Sequence, residues 1–169
     1  MNLLVIRHAI AEDRKRYAKT GADDGLRPLT ARGRRRMKAG ARGLRRLAPG
    51  LDLLATSPLV RAEQTAEIVA AAYRELKVVK VPQLAPQASV HALLKWLQER
   101  KHDSTIALVG HEPLLGVFVS WMLTGLQESF VDLKKGGACL LECEQQVRPG
   151  RARLRWLLAP GQLRVLGAE

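Results

Sequence analysis

The sequence predicts an α/β protein, a three-layer sandwich whose mostly parallel sheet has one antiparallel edge strand and helices on both faces. Residues 2–6 and 104–109 are continuous apolar runs, the pattern of strands buried on both faces of a parallel sheet. Stretches with helical spacing separate the strand patterns, as in βαβ units. The 169 residues suit one domain, residues 1–169, with a core of ordinary size.

The first strand ends directly on Arg7 and His8. Ligands of open α/β sheets bind beyond the carboxyl ends of the strands, so both side chains are expected in that crevice. A guanidinium holds two phosphate oxygens at once, and a neutral imidazole can attack phosphorus and carry the phosphoryl group. The pair predicts a phosphate-handling enzyme with His8 as nucleophile. The alternative is a strand end whose polar residues meet solvent.

Residues 9–29 follow without sustained periodicity. Connections longer than about 12 to 15 residues are usually functional or disordered, so this one is expected to form a rim or lid over the crevice. A short surface helix around residues 12–19 fits the same role.

A strongly basic helix comes next. Thr30 has the position of an N-cap, and helical spacing runs from Met37 to Ala48 before Pro49 and Gly50. Cations in the first turns oppose the helix dipole by about 0.3 to 1 kcal/mol each, which favours a binding role; a solvated Arg-rich face is the alternative. The basic residues of this face are Arg32, Arg34, Arg35, Arg36, Lys38, Arg42, Arg45 and Arg46.

Residues 51–55 predict the second strand. Ser57 can then cap a helix that starts at Pro58 and runs to about residue 73. Arg61 lies in its first turn, the unfavourable end of the dipole for a cation. An anion bound there explains it, because helix N-termini present free N–H groups.

The third buried strand, 104–109, delivers a second histidine. Gly110 permits a tight turn, Pro113 suits the first helical position, and His111 lies between them. The helix that follows, to about residue 123, is apolar nearly all round and should be buried. A structural histidine is the alternative for His111 taken alone.

The other elements complete the sandwich. Residues 77–81 predict a strand near an edge, and residues 88–100 predict an amphipathic helix. Strands 138–143 and 152–158 are expected as an antiparallel pair on one edge. The connection 125–137 is a second candidate for the rim.

Composition narrows the function classes. The net charge of +12, from 28 basic and 16 acidic residues, attracts polyanions or acidic protein faces. Few aromatic residues are present to stack bases, so sequence-specific nucleic-acid binding is not expected. The first apolar run is too short for a signal peptide, and the longest, 113–126, is shorter than the roughly 18 residues of a membrane span. We expect a cytoplasmic monomer without membrane contact.

The two cysteines, Cys139 and Cys143, lie in one predicted strand, with Cα atoms about 13 Å apart. That separation is too long for a disulfide, and neither cysteine belongs to a metal-ligand pattern. They are expected to be core residues.

Three strand ends converge in this fold. They bring Arg7, His8, Arg61 and His111 around one crevice. These groups would repel one another unless an anion occupied the middle, and a phosphoryl group is the simplest occupant.

At this point the sequence resembles the histidine phosphatase superfamily, the phosphoglycerate mutase-like proteins, and within it the small SixA-type phosphohistidine phosphatases. The motifs are VIRHA at 5–9, LRPLTARG at 26–33, TSPLVRAEQTAE at 56–67 and VGHEPLL at 109–115. The resemblance covers nearly the whole chain. It implies the phosphoglycerate mutase-like fold and a phosphatase that uses no cofactor or metal.

The resemblance also implies roles. His8 would be the nucleophile, and Arg7, Arg61 and His111 would complete the phosphate pocket. Arg27 would be a further phosphate or substrate contact, while Ala9 stands where such proteins most often have glycine. The implied substrate is a phosphohistidine-bearing protein or a small phosphorylated molecule.

The sequence does not assign the residue that would protonate the leaving group. Residues 82–86 contain no acid, and the candidates by location are Glu12, Asp13, Asp23, Asp24 and Glu112. Because a protonated nitrogen leaves more readily than an alkoxide, the missing acid favours phosphohistidine over ordinary esters. A phosphomonoesterase acting on a small metabolite and a non-catalytic polyanion-binding module are the alternatives.

Overall fold

A computed structural model describes residues 1–74, 76–144 and 146–168. Its centre is one six-stranded sheet in the order β3-β2-β4-β1-β5-β6. The strands are β1 (Asn2–Arg7), β2 (Leu53–Thr56), β3 (Val78–Lys80), β4 (Thr105–Gly110), β5 (Ala138–Cys143) and β6 (Ala152–Leu158).

The sheet is mostly parallel. β1 pairs with β4, and β2 pairs with β4 and β3, all in parallel. β5 is antiparallel to both β1 and β6, so the last two strands form the antiparallel pair at one edge. Their position confirms that part of the predicted fold, and β3 lies at the other edge as expected.

Helices cover both faces. They are α1 (Arg14–Ala18), α2 (Ala31–Leu47), α3 (Val60–Ala72), α4 (Val90–Gln98), α5 (Leu114–Thr124) and α6 (Pro160–Leu166). Alternate residues of β1 point to opposite sides. Leu3 packs in the core shared with α4 and α5, and Leu4 packs in the core shared with α2, α3 and α6. These two cores confirm the three-layer sandwich.

Several boundaries agree with the sequence patterns. Thr30 caps α2 by accepting from the Gly33 N–H at 2.9 Å. α1 is the short surface helix that was one of the two expectations for residues 9–29.

Cys139 and Cys143 are buried and free of disulfides. Within the described ranges, no helix is long and apolar enough to cross a membrane.

Three elements differ from prediction. α3 begins at Val60, with Leu59 as its N-cap, and not at Pro58; the Ser57 Oγ accepts from the Leu59 N–H at 3.3 Å and also lies against His111. Pro113 is the N-cap of α5 and precedes its first turn. α6 was not predicted; it packs on α2, where the Leu163 carbonyl lies so close to Gly43 that an added Cβ would be 2.1 Å from its oxygen.

Candidate active site

The carboxyl ends of β1, β2 and β4 meet at one crevice. In the strand register Arg7 lies opposite Gly110, and Thr56 lies opposite Val109. The residues that follow these ends carry the side chains singled out in the sequence. The rings of His8 and His111 have centroids 5.0 Å apart, and both residues are buried, as is Arg61. The structure therefore brings together the side chains expected to meet.

His8 is held by its own backbone surroundings. Its N–H donates to the Gly110 carbonyl at 3.0 Å, and its Nδ1 lies 2.7 Å from the Ala9 carbonyl oxygen. Because a carbonyl only accepts, Nδ1 carries the proton and Nε2 of the neutral ring keeps its lone pair. Burial, together with the charges of Arg61 and Arg7, lowers the pKa of His8 to about 3. The imidazole is thus neutral and nucleophilic near pH 7.

His111 is fixed through Ser57. Its Nε2 lies 2.8 Å from the Ser57 Oγ, and both side chains are buried. Burial, and then the neighbouring positive charges, lower the pKa of His111 to about 3. Sequence reasoning assigned Ser57 to a helix cap and missed this contact. The available signal was its position at the end of a buried strand.

The carboxylate of Asp24, in the segment after β1, contacts the guanidiniums of both Arg27 and Arg61. Arg61 donates from Nη1 to the Asp24 carbonyl at 2.9 Å, and its Nη2 lies 3.3 Å from Asp24 Oδ2. Arg27 donates from Nε to Asp24 Oδ1 at 2.8 Å and from Nη1 to the Glu12 carbonyl at 2.8 Å. Asp24 therefore positions Arg27 beside Arg61, as part of the rim expected from residues 9–29.

Arg7 is oriented from the other side of the crevice. Its Nη1 donates to the Leu133 carbonyl at 2.6 Å and lies 3.8 Å from Asp132 Oδ1. Both partners belong to the connection 125–137, so this second rim segment reaches the site as expected.

A buried threonine joins β1 to α3. Thr65 Oγ1 accepts from the Ala9 N–H at 3.0 Å and donates to the Arg61 carbonyl at 2.7 Å. One hydroxyl thus ties the backbone after His8 to the helix that carries Arg61. Sequence reasoning did not identify Thr65, because a threonine on a helix has no pattern of its own.

Four of the five carboxylates proposed as proton donors, Asp13, Asp23, Asp24 and Glu112, have other partners. The hydrogen bond from Arg27 lowers the pKa of Asp24, so Asp24 remains ionised. Asp13 and Asp23 accept from backbone N–H groups of Arg16 and Gly25. Burial raises the pKa of the Glu112 carboxyl, whose two oxygens each accept a backbone N–H at 3.1 Å.

Three buried nitrogens of the site residues are unpaired within the part of the chain that the structure describes. Among the described residues, Arg7 Nε, Arg61 Nε and His111 Nδ1 are buried side-chain nitrogens without a hydrogen-bond partner. Buried donors are rarely left unpaired, and the oxygens of a bound anion would satisfy them. The arrangement suits a tetrahedral oxyanion beside the free Nε2 of His8.

Comparison with known proteins identifies the family of this chain. The family model of the histidine phosphatase superfamily (branch 1) matches residues 3–89. An uncharacterized protein of Picosynechococcus is 40% identical over 157 residues, covering 92% of this chain and 89% of that protein. Phosphohistidine phosphatase SixA of Escherichia coli is 25% identical over 171 residues, covering 99% of each chain.

Solved structures share the fold. A structure of the protein histidine phosphatase SixA with tungstate has a TM-score of 0.82 at 24% identity and covers 96% of this chain and 99% of the other. An alpha-ribazole phosphatase from Shigella flexneri has a TM-score of 0.72 at 21% identity, and the match covers 95% of this chain and 97% of the other. These likenesses confirm the predicted fold class.

Proposed function

This chain belongs to the histidine phosphatase superfamily (branch 1), and on that basis we propose that it removes phosphate from phosphohistidine in signalling or phosphotransfer proteins. Phosphatase chemistry follows from the family, whereas the phosphohistidine substrate and the roles below are the proposal. The observation that supports it most is that three buried nitrogens near the neutral ring of His8, from Arg7, Arg61 and His111, have no hydrogen-bond partner among the described residues.

In the first step, His8 Nε2 attacks phosphorus in line. The bond from phosphorus to His8 forms while the bond to the substrate nitrogen breaks, giving phospho-His8. Arg7, Arg61 and His111 donate to the equatorial oxygens, where charge is carried in the transition state. Arg27, held next to Arg61, extends the positive surface at the substrate side.

The leaving group explains the preference for phosphohistidine. A phosphoimidazole that is protonated on its other ring nitrogen departs as a neutral imidazole, so the enzyme need not supply a proton. An alkoxide from an ester would need one. Asp24 is ionised against Arg27, and both oxygens of Glu112 accept backbone N–H groups, which favours the substrate that requires no acid.

The second step returns the enzyme to its starting state. Water attacks phosphorus of phospho-His8, an oxygen–phosphorus bond forms while the bond between phosphorus and Nε2 breaks, and phosphate leaves carrying both protons of the water. Because Nδ1 stays bonded to the Ala9 carbonyl throughout, the ring keeps its orientation and its tautomer between the two steps. No metal or cofactor is required by this sequence of steps.

The test is single-turnover hydrolysis of a phosphohistidine-containing phosphotransfer protein, with wild type, His8→Ala and, as control, His102→Ala at an exposed site. Mass spectrometry follows phosphate on the enzyme. We expect transient phospho-His8 in the wild type and the control, and none in His8→Ala. Equal turnover by His8→Ala would remove His8 as nucleophile.

Two other results would redirect the assignment. Hydrolysis of sugar phosphates with kcat/KM above about 10⁴ M⁻¹s⁻¹, together with slow phosphohistidine turnover, would favour a small-metabolite phosphomonoesterase. Polyanion binding that survives His8→Ala, with no turnover of either substrate class, would favour the binding module.

A further inference from the structure

A narrow cleft opens beside the crevice, next to the backbone of the nucleophile. Ala9, which follows His8, forms part of its wall, and so does Gly136, whose N–H lies 3.1 Å from the carbonyl oxygens of both Arg7 and His8. A group bound in this cleft would therefore contact Ala9, the residue next to the nucleophile His8. The lining residues are Ala9, Ile10, Gly33, Arg36, Met37, Lys135, Gly136, Pro160 and Arg164.

Three cations from separate elements line the cleft. Arg36 belongs to α2, Lys135 to the connection before β5, and Arg164 to α6. None of the three forms an ion pair with a carboxylate of the described residues. The neighbouring Lys134, by contrast, is paired with Asp132.

The cations repel one another. Desolvation and the positive charges of Arg32 and Arg164 lower the pKa of Arg36. An anion in the cleft would reverse that effect, because a nearby opposite charge favours the charged form of each guanidinium. Lys135 also adds to the positive field at His8, so the two sites share one electrostatic environment.

The arginines near the carboxyl end of α2 hold neighbouring elements in place, which Arg36 does not do. Arg42 donates to the Gly167 carbonyl at 2.9 Å, Arg45 donates to the Ala72 carbonyl at 2.9 Å, and Arg46 donates to the Leu166 carbonyl. Those three tie the end of α2 to neighbouring elements. The basic face is thus divided in use, and Arg36 is its member that lines the cleft.

The size and walls of the cleft select the ligand. Its volume of about 30 Å³ suits a small polar group such as a carboxylate. Ile10, Met37 and Pro160 supply apolar contacts for the methylene groups of a short side chain. A carboxylate on an aliphatic stem, as in Asp or Glu, satisfies both requirements.

We propose that this cleft binds an Asp or Glu side chain of the phosphorylated protein, so that phosphohistidines flanked by acidic residues are the preferred substrates. The phosphohistidine in this inference rests on the proposed function. The acidic residue beside it rests on the cleft. The net charge of +12 acts in the same direction, since it draws acidic protein faces to this molecule before contact.

The test uses two synthetic peptides with a central phosphohistidine, one flanked by Asp and Glu and the other by Asn and Gln, together with free phosphohistidine. We expect the wild type to hydrolyse the acidic peptide with kcat/KM about tenfold above the neutral one in about 50 mM salt. In about 0.5 M salt the ratio should approach one, because salt screens exposed charges.

Charge reversal locates the effect. Arg36→Glu and, separately, Lys135→Glu are expected to abolish the acidic preference, and the exposed Lys135 covers the case in which Arg36→Glu does not fold. Lys101→Glu is the matched control, because Lys101 is exposed and precedes the amino end of β4, opposite the crevice. The ratio of kcat/KM between the acidic and the neutral peptide should be the same in this variant as in the wild type. Lys135→Arg should also keep the preference.

The outcomes separate the two proposals. An acidic preference that persists in both Arg36→Glu and Lys135→Glu would overturn the cleft as its source, whatever the turnover. Failure to hydrolyse any of the three phosphohistidine compounds would overturn the proposed function instead. In that case fluorescence anisotropy of the two unphosphorylated peptides still decides the cleft: tighter acidic binding that is lost in the two variants supports it, and equal binding of both peptides refutes it.

Discussion

The Ser57 hydroxyl and the His111 Nε2 lie 2.8 Å apart, and this contact joins the end of β2 to the turn after β4. His111 Nδ1 is buried without a partner among the described residues. A neutral imidazole has one donor and one acceptor nitrogen. If Ser57 donates to Nε2, the proton of the ring lies on Nδ1, where it is available to a phosphoryl oxygen. Ser57 is therefore inferred to set the tautomer of His111.

Ser57→Ala should lower kcat for phosphohistidine by about tenfold, the equivalent of one lost hydrogen bond of about 1.4 kcal/mol, with a smaller change in KM. The control is Ser89→Ala, which removes the cap of α4, where Ser89 accepts from the Ala92 N–H at 3.1 Å. That variant should lose about 1 kcal/mol of stability and keep the wild-type kcat. An unchanged kcat in Ser57→Ala would contradict the role of the hydroxyl.

Asp24→Ala should weaken inhibition by inorganic phosphate several-fold, because Arg27 and Arg61 lose the carboxylate that orients both guanidiniums. The inhibition constant for phosphate is the measurement. Asp13→Ala makes the same change of charge in the same segment, but Asp13 only caps α1. Loss of either carboxylate makes the protein more positive, which by itself strengthens phosphate binding, so tighter inhibition in both variants would mean that net charge, rather than orientation, governs phosphate binding.

Thr65→Val should reduce both stability and activity. It keeps the shape of the side chain but leaves the buried Ala9 N–H without its acceptor, which costs about 1 to 3 kcal/mol. The backbone that orients His8 then loses its link to α3. Thr65→Ser retains the hydroxyl and should recover most of kcat, as measured beside urea unfolding. Failure of serine to restore what valine removes would show that the methyl group, not the hydroxyl, matters.

Lowering the pH should destabilise the protein already at pH values above those at which carboxylates titrate. The pKa of His8 and of His111 is lowered to about 3 in the folded state, from an ordinary value of 6.5. Between these values the unfolded chain binds more protons than the native protein, so the free energy of unfolding falls as the pH decreases. The contribution is fully present above pH 6.5 and is lost toward pH 3.

The expected loss between pH 7 and pH 5 is about 2 kcal/mol for each of the two imidazoles. Urea unfolding at the two pH values measures it. His111→Asn should remove the share of that residue from the pH dependence, while His102→Asn, at an exposed position, should leave the dependence as in the wild type. A wild type equally stable at both pH values would rule out buried neutral imidazoles.

The convergence of four side chains was predictable from the strand pattern: Arg7, His8 and His111 come after continuous apolar runs, and Arg61 lies in the first helical turn after the predicted strand 51–55. A run of that kind indicates a buried parallel strand, and the carboxyl ends of such strands meet at one edge. No contact between specific side chains was needed for the inference. Local pattern and topology together were sufficient to bring the four residues to one crevice.

The supporting contacts were not predictable in the same way. A serine before proline is a common helix-cap signal, and the tertiary position of His111 gives Ser57 a second partner besides the Leu59 N–H. Asp24 lies in a segment without periodicity, so its pairing with Arg27 and Arg61 depends on how that segment folds back over the crevice. Such choices are made by the assembled structure rather than by local sequence.

α6 illustrates a helix that depends on its partner. It has seven residues, only Leu163 is buried, and helices of this length are marginal in isolation. Its place is set by α2, where Gly43 leaves room for the Leu163 carbonyl. The sequence pattern of α6 alone was too short to predict it.

This packing gives a paired prediction on one face of α2. Gly43→Ala would place a Cβ 2.1 Å from the Leu163 carbonyl oxygen, so α6 must shift, and we expect a loss of about 1 to 3 kcal/mol. Gly40→Ala would place its Cβ 3.9 Å from the Leu163 Cβ, an ordinary contact, and should stabilise α2 by up to about 1 kcal/mol through helix propensity. The free energy of urea unfolding measures both. Since the substitutions are chemically identical and one turn apart, effects of the same sign would mean that α6 does not dock on α2 through the Gly43 contact.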